Sequence, residues 1–98
     1  MKHEDAIFSI VRNYDAKKMA RGKDSVISEL RINIRSIPYK DQKIMMALFV
    51  VFELNKTKEL SYPDLVSKTA CLTNLKEYEI SAELPRYMAD YLYTSGAA

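Results

Sequence analysis

From Ile37 to Leu54 the chain reads IPYKDQKIMMALFVVFEL, a run in which Ile44, Met45, Met46, Leu48, Phe49, Val50, Val51, Phe52 and Leu54 leave almost no polar face. A helix that is apolar nearly all round must be enclosed by other elements. Asp41 is placed to cap it. The polar connector Asn55-Lys56-Thr57-Lys58-Glu59 follows, and then Ser61 and Asp64 at the spacing of a capping box, with Pro63 in the first turn, where its missing N–H costs nothing. A buried helix, a short connector and a capped second helix are how a helix-turn-helix or winged-helix module begins.

The remaining elements have the right size to wrap this rod. The chain has 98 residues, 48% of them hydrophobic, and only two glycines and three prolines, which favours one helical domain over a turn-rich β fold. Ile7, Ile10, Val11 and Tyr14 form one stripe of an amphipathic helix from about Glu4 to Ala20, with acids in its first turn and bases in its last. Gly22 ends it, and Asp24 or Ser25 caps a second segment carrying Val26, Ile27, Leu30, Ile34 and Ile37. The alternation of Leu30, Ile32 and Ile34 leaves an extended end open, although helix is favoured. Pro38 stops the segment. Lys58, Glu59 and Leu60 are candidates for a short strand. The helix from about Tyr62 to Leu72 turns Leu65, Val66, Thr69 and Leu72 inward, with Ala70 or Cys71 near the core. A turn through Thr73 to Tyr78 precedes a last helix whose start Pro85 fixes, with a cap near Ala82 or Glu83 and an inner side of Leu84, Tyr87, Met88, Tyr91 and Leu92. The expectation is a mainly α domain of about five helices spanning residues 1–98, with 1–37 leading in and 38–98 forming the helix-turn-helix core.

Catalytic chemistry has little to work with. The sole histidine, His3, is remote in sequence from Cys71 and the serines, so a nucleophile with a base in reach is not expected. One histidine and one cysteine do not make a usual zinc site, and two glycines do not make a phosphate loop. Glu77 and Glu79 read as solvated charges, Cys71 as a small buried side chain, and Met45 and Met46 as core filling. The expectation is a non-enzyme with no catalytic residue, no metal, no cofactor and no small-molecule substrate. The apolar run is too short to span a bilayer and the first residues lack a signal-peptide stretch, which predicts an intracellular protein without a membrane role. A lone cysteine fits a reducing compartment.

Charge divides the chain. Residues 1–40 hold nine Lys/Arg against five Asp/Glu, whereas residues 41–98 hold six against eight. Lys17, Lys18, Arg21 and Lys23 close the first helix and are candidate phosphate contacts; a solvated helix end complementing the carboxyl-terminal dipole is the plainer reading.

The segments IPYKDQKIMMALFVVFEL, KELSYPDLVSKTACL and ISAELPRYMADYLYTSG resemble the carboxyl-terminal winged-helix domain of eukaryotic and archaeal replication initiators. That family comprises the largest origin-recognition-complex subunit, the cell-division-cycle loading factor and the yeast silent-information-regulator paralogue. The resemblance covers roughly residues 36–96, rests on hydrophobic pattern, and implies a nuclear role in origin licensing or silent chromatin. Two departures bear on mechanism. The helix equivalent to a DNA-reading helix offers Glu83, Arg86 and Asp90, with Glu77 and Glu79 upstream, and carboxylates beside phosphates repel. The chain also ends at Ser95-Gly96-Ala97-Ala98, where a hairpin wing would continue, so either the wing is reduced or absent or the sequence stops short of it. Both departures favour a protein–protein surface made from Glu83, Arg86, Tyr87, Asp90, Tyr91 and Tyr93, since tyrosine is enriched at interfaces, and the resemblance to the silencing paralogue implies that such a winged helix serves dimerisation. Packing of Tyr87 and Tyr91 on the central helix is the bland alternative. Two further readings remain: a DNA-binding regulator using the basic first-helix end, and a phage or bacterial helical bundle acting as an inhibitor or immunity protein.

Overall fold

The computed structural model describes the backbone of residues 2–56 and 60–95 and the side chains of residues 3–56 and 60–86. Six helices are present among the described residues: α1 (Lys2–Arg12), α2 (Tyr14–Arg21), α3 (Lys23–Arg35), α4 (Lys40–Leu54), α5 (Tyr62–Thr73) and α6 (Glu77–Ser95), with no strand.

The rod behaves as its composition demands. Helix α4 packs against α1, α3, α5 and α6, and its Ile44, Ala47, Leu48, Val50 and Val51 are buried. Around them lie Ile7 and Ile10 of α1, Val26, Leu30 and Ile34 of α3, Leu65, Val66 and Leu72 of α5, and Ile80 and Leu84 of α6. Each fully buried side chain of this size contributes roughly 1.5–3 kcal/mol. Phe8 of α1 meets Phe49 of α4 edge to face, with ring centroids 5.1 Å apart. Met45 and Met46 are half-buried and pack against the core.

Several boundaries differ from the sequence expectation. The single first helix is two, because Asn13 leaves helical geometry (φ −109°, ψ 25°) and its side-chain amide donates to the Ser9 carbonyl at 3.0 Å. This is the local competition that polar side chains offer a helix. The basic group is thereby split: Lys17, Lys18 and Arg21 lie on α2, while Lys23 opens α3 beyond Gly22. Helix α3 starts directly after Gly22 with no side-chain cap, so neither Asp24 nor Ser25 caps it, and the stretch from Leu30 to Ile34 is helical. Ile37 is buried just outside the helix end. Asp41 does not cap α4, whose N-cap residue is Tyr39.

Helix α5 starts as its sequence requires, with the Ser61 hydroxyl accepting from the Asp64 amide at 3.3 Å and Pro63 in the first turn. It ends where Asn74 adopts a left-handed conformation (φ 62°). The Thr73 hydroxyl there donates to the Thr69 carbonyl at 2.8 Å and accepts from the Leu75 amide at 3.2 Å. Cys71 is exposed rather than buried. Its carbonyl accepts from the Arg35 guanidinium at 2.7 Å, which ties α3 to the last turn of α5.

The largest correction concerns α6. It begins at Glu77, and Pro85 lies inside it rather than at its start. The Lys76 amide donates to the Glu79 carboxylate at 3.0 Å, the backward half of a capping box, and this starts the helix eight residues before the proline. The proposed strand residues Lys58 and Glu59 lie outside the described residues, and Leu60 is not in a strand.

Candidate protein interface

The first turns of α4 and α5 both meet the first half of α6, and three contacts link them. Lys40, the first residue of α4, places its Nζ 3.3 Å from the Glu79 carboxylate on α6. Asp41 of α4 lies 3.8 Å from the Arg86 guanidinium on α6, which is also 3.9 Å from Glu83. The Tyr62 hydroxyl of α5 donates to the Ser81 carbonyl of α6 at 3.2 Å. Glu79 therefore serves both the cap of its own helix and the link to α4. The Lys76 amide holds its carboxyl below the usual range against the opposing effect of desolvation, and Lys40 adds smaller lowering contributions.

Three tyrosines stand out from this frame. Tyr39, Tyr62 and Tyr78 remain 66%, 46% and 70% exposed. Tyr39 immediately precedes Lys40 and Tyr78 immediately precedes Glu79, so both flank the α4–α6 ion pair. Tyr62, Pro63, Val66, Glu77, Tyr78 and Ser81 line an open groove of about 270 Å³ between α5 and α6.

Of the residues expected to form an interface, Glu83 and Arg86 are placed here, both exposed and both engaged in the contacts above. Tyr87, Asp90, Tyr91 and Tyr93 lie on α6, but their side chains are outside the described residues. Tyr39, Tyr62, Glu77 and Tyr78 were not singled out as interface residues by sequence reasoning. For Tyr78 the signal was position: once α6 is started at Glu77, Ile80 and Leu84 define its inner stripe, and Tyr78 falls well off it.

The candidate phosphate contacts are partly committed elsewhere. Arg21 lies 2.6 Å from Glu29 and donates to the Ser25 hydroxyl at 3.2 Å, bridging α2 to α3 across Gly22. Lys18 sits over the Tyr14 ring, 5.4 Å from its centroid, and burial with the neighbouring Asp15 carboxylate pushes the Tyr14 phenol up. Lys17 is half-buried and Lys23 exposed. No residue of α2 is buried, and its Met19 is 87% exposed.

Among the described residues no group of three or more His, Cys, Asp or Glu side chains is arranged to hold a metal ion. No helix among them is long and apolar enough to cross a membrane. No protein family, curated protein or solved structure matches the chain.

Proposed function

We propose that this chain is a non-catalytic protein-interaction module whose partner-facing surface is formed where α4, α5 and α6 begin. The observation that carries this reading is the set of exposed tyrosines Tyr39, Tyr62 and Tyr78 mounted on helix starts that are cross-linked to one another. Tyrosine brings large contact area at low conformational cost, and a pre-fixed frame lowers the ordering cost of association. Self-association as a homodimer is the first candidate. The pairwise packing of α4, α5 and α6, with α5 capped by Ser61, supports assigning residues 38–98 to a helix-turn-helix core of winged-helix type. The resemblance to replication initiators suggests, within this proposal, a nuclear role in origin binding or chromatin silencing.

Sedimentation velocity over a concentration series tests the reading. Association that rises with concentration and is lost in Tyr39→Lys and Tyr78→Lys is expected. A chain that stays monomeric throughout and captures no partner overturns it.

The DNA-binding reading has weaker support. Arg21 is already paired with Glu29, which reduces the charge that α2 has to offer phosphates.

A further inference from the structure

The groove between α5 and α6 has a chemistry of its own. Two tyrosine rings, a proline and a valine form its walls, and among the described residues Glu77 is the one charged residue in its lining, with no lysine or arginine there. Of the neighbouring basic groups, Lys40 lies 3.3 Å from Glu79 and Arg86 lies 3.8–3.9 Å from Asp41 and Glu83, while Lys76 adjoins Glu77 in the sequence and is exposed. Helix starts ordinarily attract anions, but here the Asp64 amide is taken by Ser61, the Lys76 amide by Glu79, and Pro63 has no N–H to give. The site is therefore built against an anion and toward a cation.

Size and shape narrow the occupant. A volume of about 270 Å³ lies below the range of about 300–1,000 Å³ usual for pockets that enclose a whole small molecule, and suits one long side chain. Tyr62 is anchored by its hydrogen bond to Ser81, so its ring is a fixed wall. A guanidinium is planar, stacks on aromatic faces, is weakly hydrated and pairs with a carboxylate through two parallel donors, all of which an open cleft with two rings and one carboxylate can use. A trimethylammonium group, in contrast, is held by an aromatic cage and finds no charged hydrogen-bond partner in Glu77.

We propose that the groove between Tyr62 and Tyr78 receives an arginine side chain of a partner protein, with the guanidinium against the rings and paired to Glu77. The proposal rests on the reading of this face as a protein interface and names the chemistry of the partner. A single such contact is weak, and affinity for a full partner comes from its addition to the surrounding tyrosine surface.

The test is an NMR titration of the intact chain with the capped peptide Gly-Ser-Arg-Ser-Gly, alongside versions carrying citrulline, lysine or trimethyllysine in place of arginine. The arginine peptide should shift the amides of Tyr62, Glu77 and Tyr78 saturably at millimolar concentration. Lysine should bind more weakly, and citrulline, which keeps the shape and loses the charge, should fail. Tyr78→Ala and Glu77→Gln, both at exposed positions and outside the core, should each weaken the arginine peptide by about two- to fivefold. Equal binding of citrulline, tighter binding of lysine or trimethyllysine, no saturable shift with arginine, or indifference to both substitutions would each overturn the assignment. Such a result beside intact, tyrosine-dependent association overturns the arginine groove alone; loss of tyrosine dependence in sedimentation as well removes the interface reading itself.

Discussion

The Tyr62 hydroxyl donates to the Ser81 carbonyl at 3.2 Å, and that carbonyl is the one Pro85, four residues on, leaves without its helical donor. A proline inside α6 thus exports a backbone acceptor to α5. The link joins a helix cap region, a helix interior and the wall of the groove in one contact.

A double-mutant cycle measures it. Tyr62→Phe should destabilise the protein by about 0.5–1.5 kcal/mol in urea unfolding. Pro85→Ala should stabilise it, by up to about 3 kcal/mol, because it restores an N–H to the Ser81 carbonyl and removes a poor helix former. In the Pro85→Ala background the cost of Tyr62→Phe should shrink, since the carbonyl then has its own helical donor. Equal costs in both backgrounds would mean that the proline and the tyrosine are independent.

Gly22 separates the two basic helices at φ 88°, ψ 150°, a region that essentially only glycine occupies. A Cβ added there meets nothing within 4 Å, so any penalty is conformational rather than steric. Gly22→Ala should therefore cost about 1–3 kcal/mol in equilibrium unfolding without altering the near-ultraviolet signature of the tyrosines. A neutral result would show that the α2–α3 junction adjusts its backbone at no cost.

How much of this was legible in the sequence differs by element. The apolar rod of α4 and the Ser61 cap of α5 were readable because burial on all sides and a local hydrogen-bond pattern are written in consecutive residues. The break at Asn13 was not, since the stripe of Ile7, Ile10 and Tyr14 continues across it and only a side-chain bond to Ser9 marks the interruption. Pro85 was misread because the general rule places proline in a first turn; the competing signal was Glu79 three residues after Lys76. The groove was invisible for a further reason. Tyr62 and Tyr78 are sixteen positions apart, and only the packing of α5 on α6 makes them neighbours of one cleft.

Acid should loosen the junction of α4 with α6 through Glu79. Its folded pKa lies below its ordinary value of 4.5, chiefly because the Lys76 amide hydrogen-bonds the charged form. A depressed carboxylate contributes stability that is fully present above the unfolded pKa and is lost as pH falls through the folded one. Stability should thus fall as pH drops below about 4.5, and Glu79→Gln should flatten that part of the profile while lowering stability at neutral pH. A variant with an unchanged acid limb would place the acid sensitivity in other carboxylates.

Binding to duplex DNA, where it occurs, should carry the signature of few phosphate contacts. Of the four basic candidates, Arg21 is 2.6 Å from Glu29 and bonded to Ser25, so Lys17, Lys18 and Lys23 are the ones left to displace counterions. Three contacts correspond to a log–log salt slope of about −2.7. Substituting all four with glutamate should abolish that binding, whereas Arg21→Gln alone should leave the slope nearly unchanged and reduce stability at the α2–α3 junction. A slope of about −3.6, with a large loss of affinity from Arg21→Gln and stability intact, would show that Arg21 leaves Glu29 for phosphate, whereas a slope of about −6 or steeper would require phosphate contacts from residues outside this group.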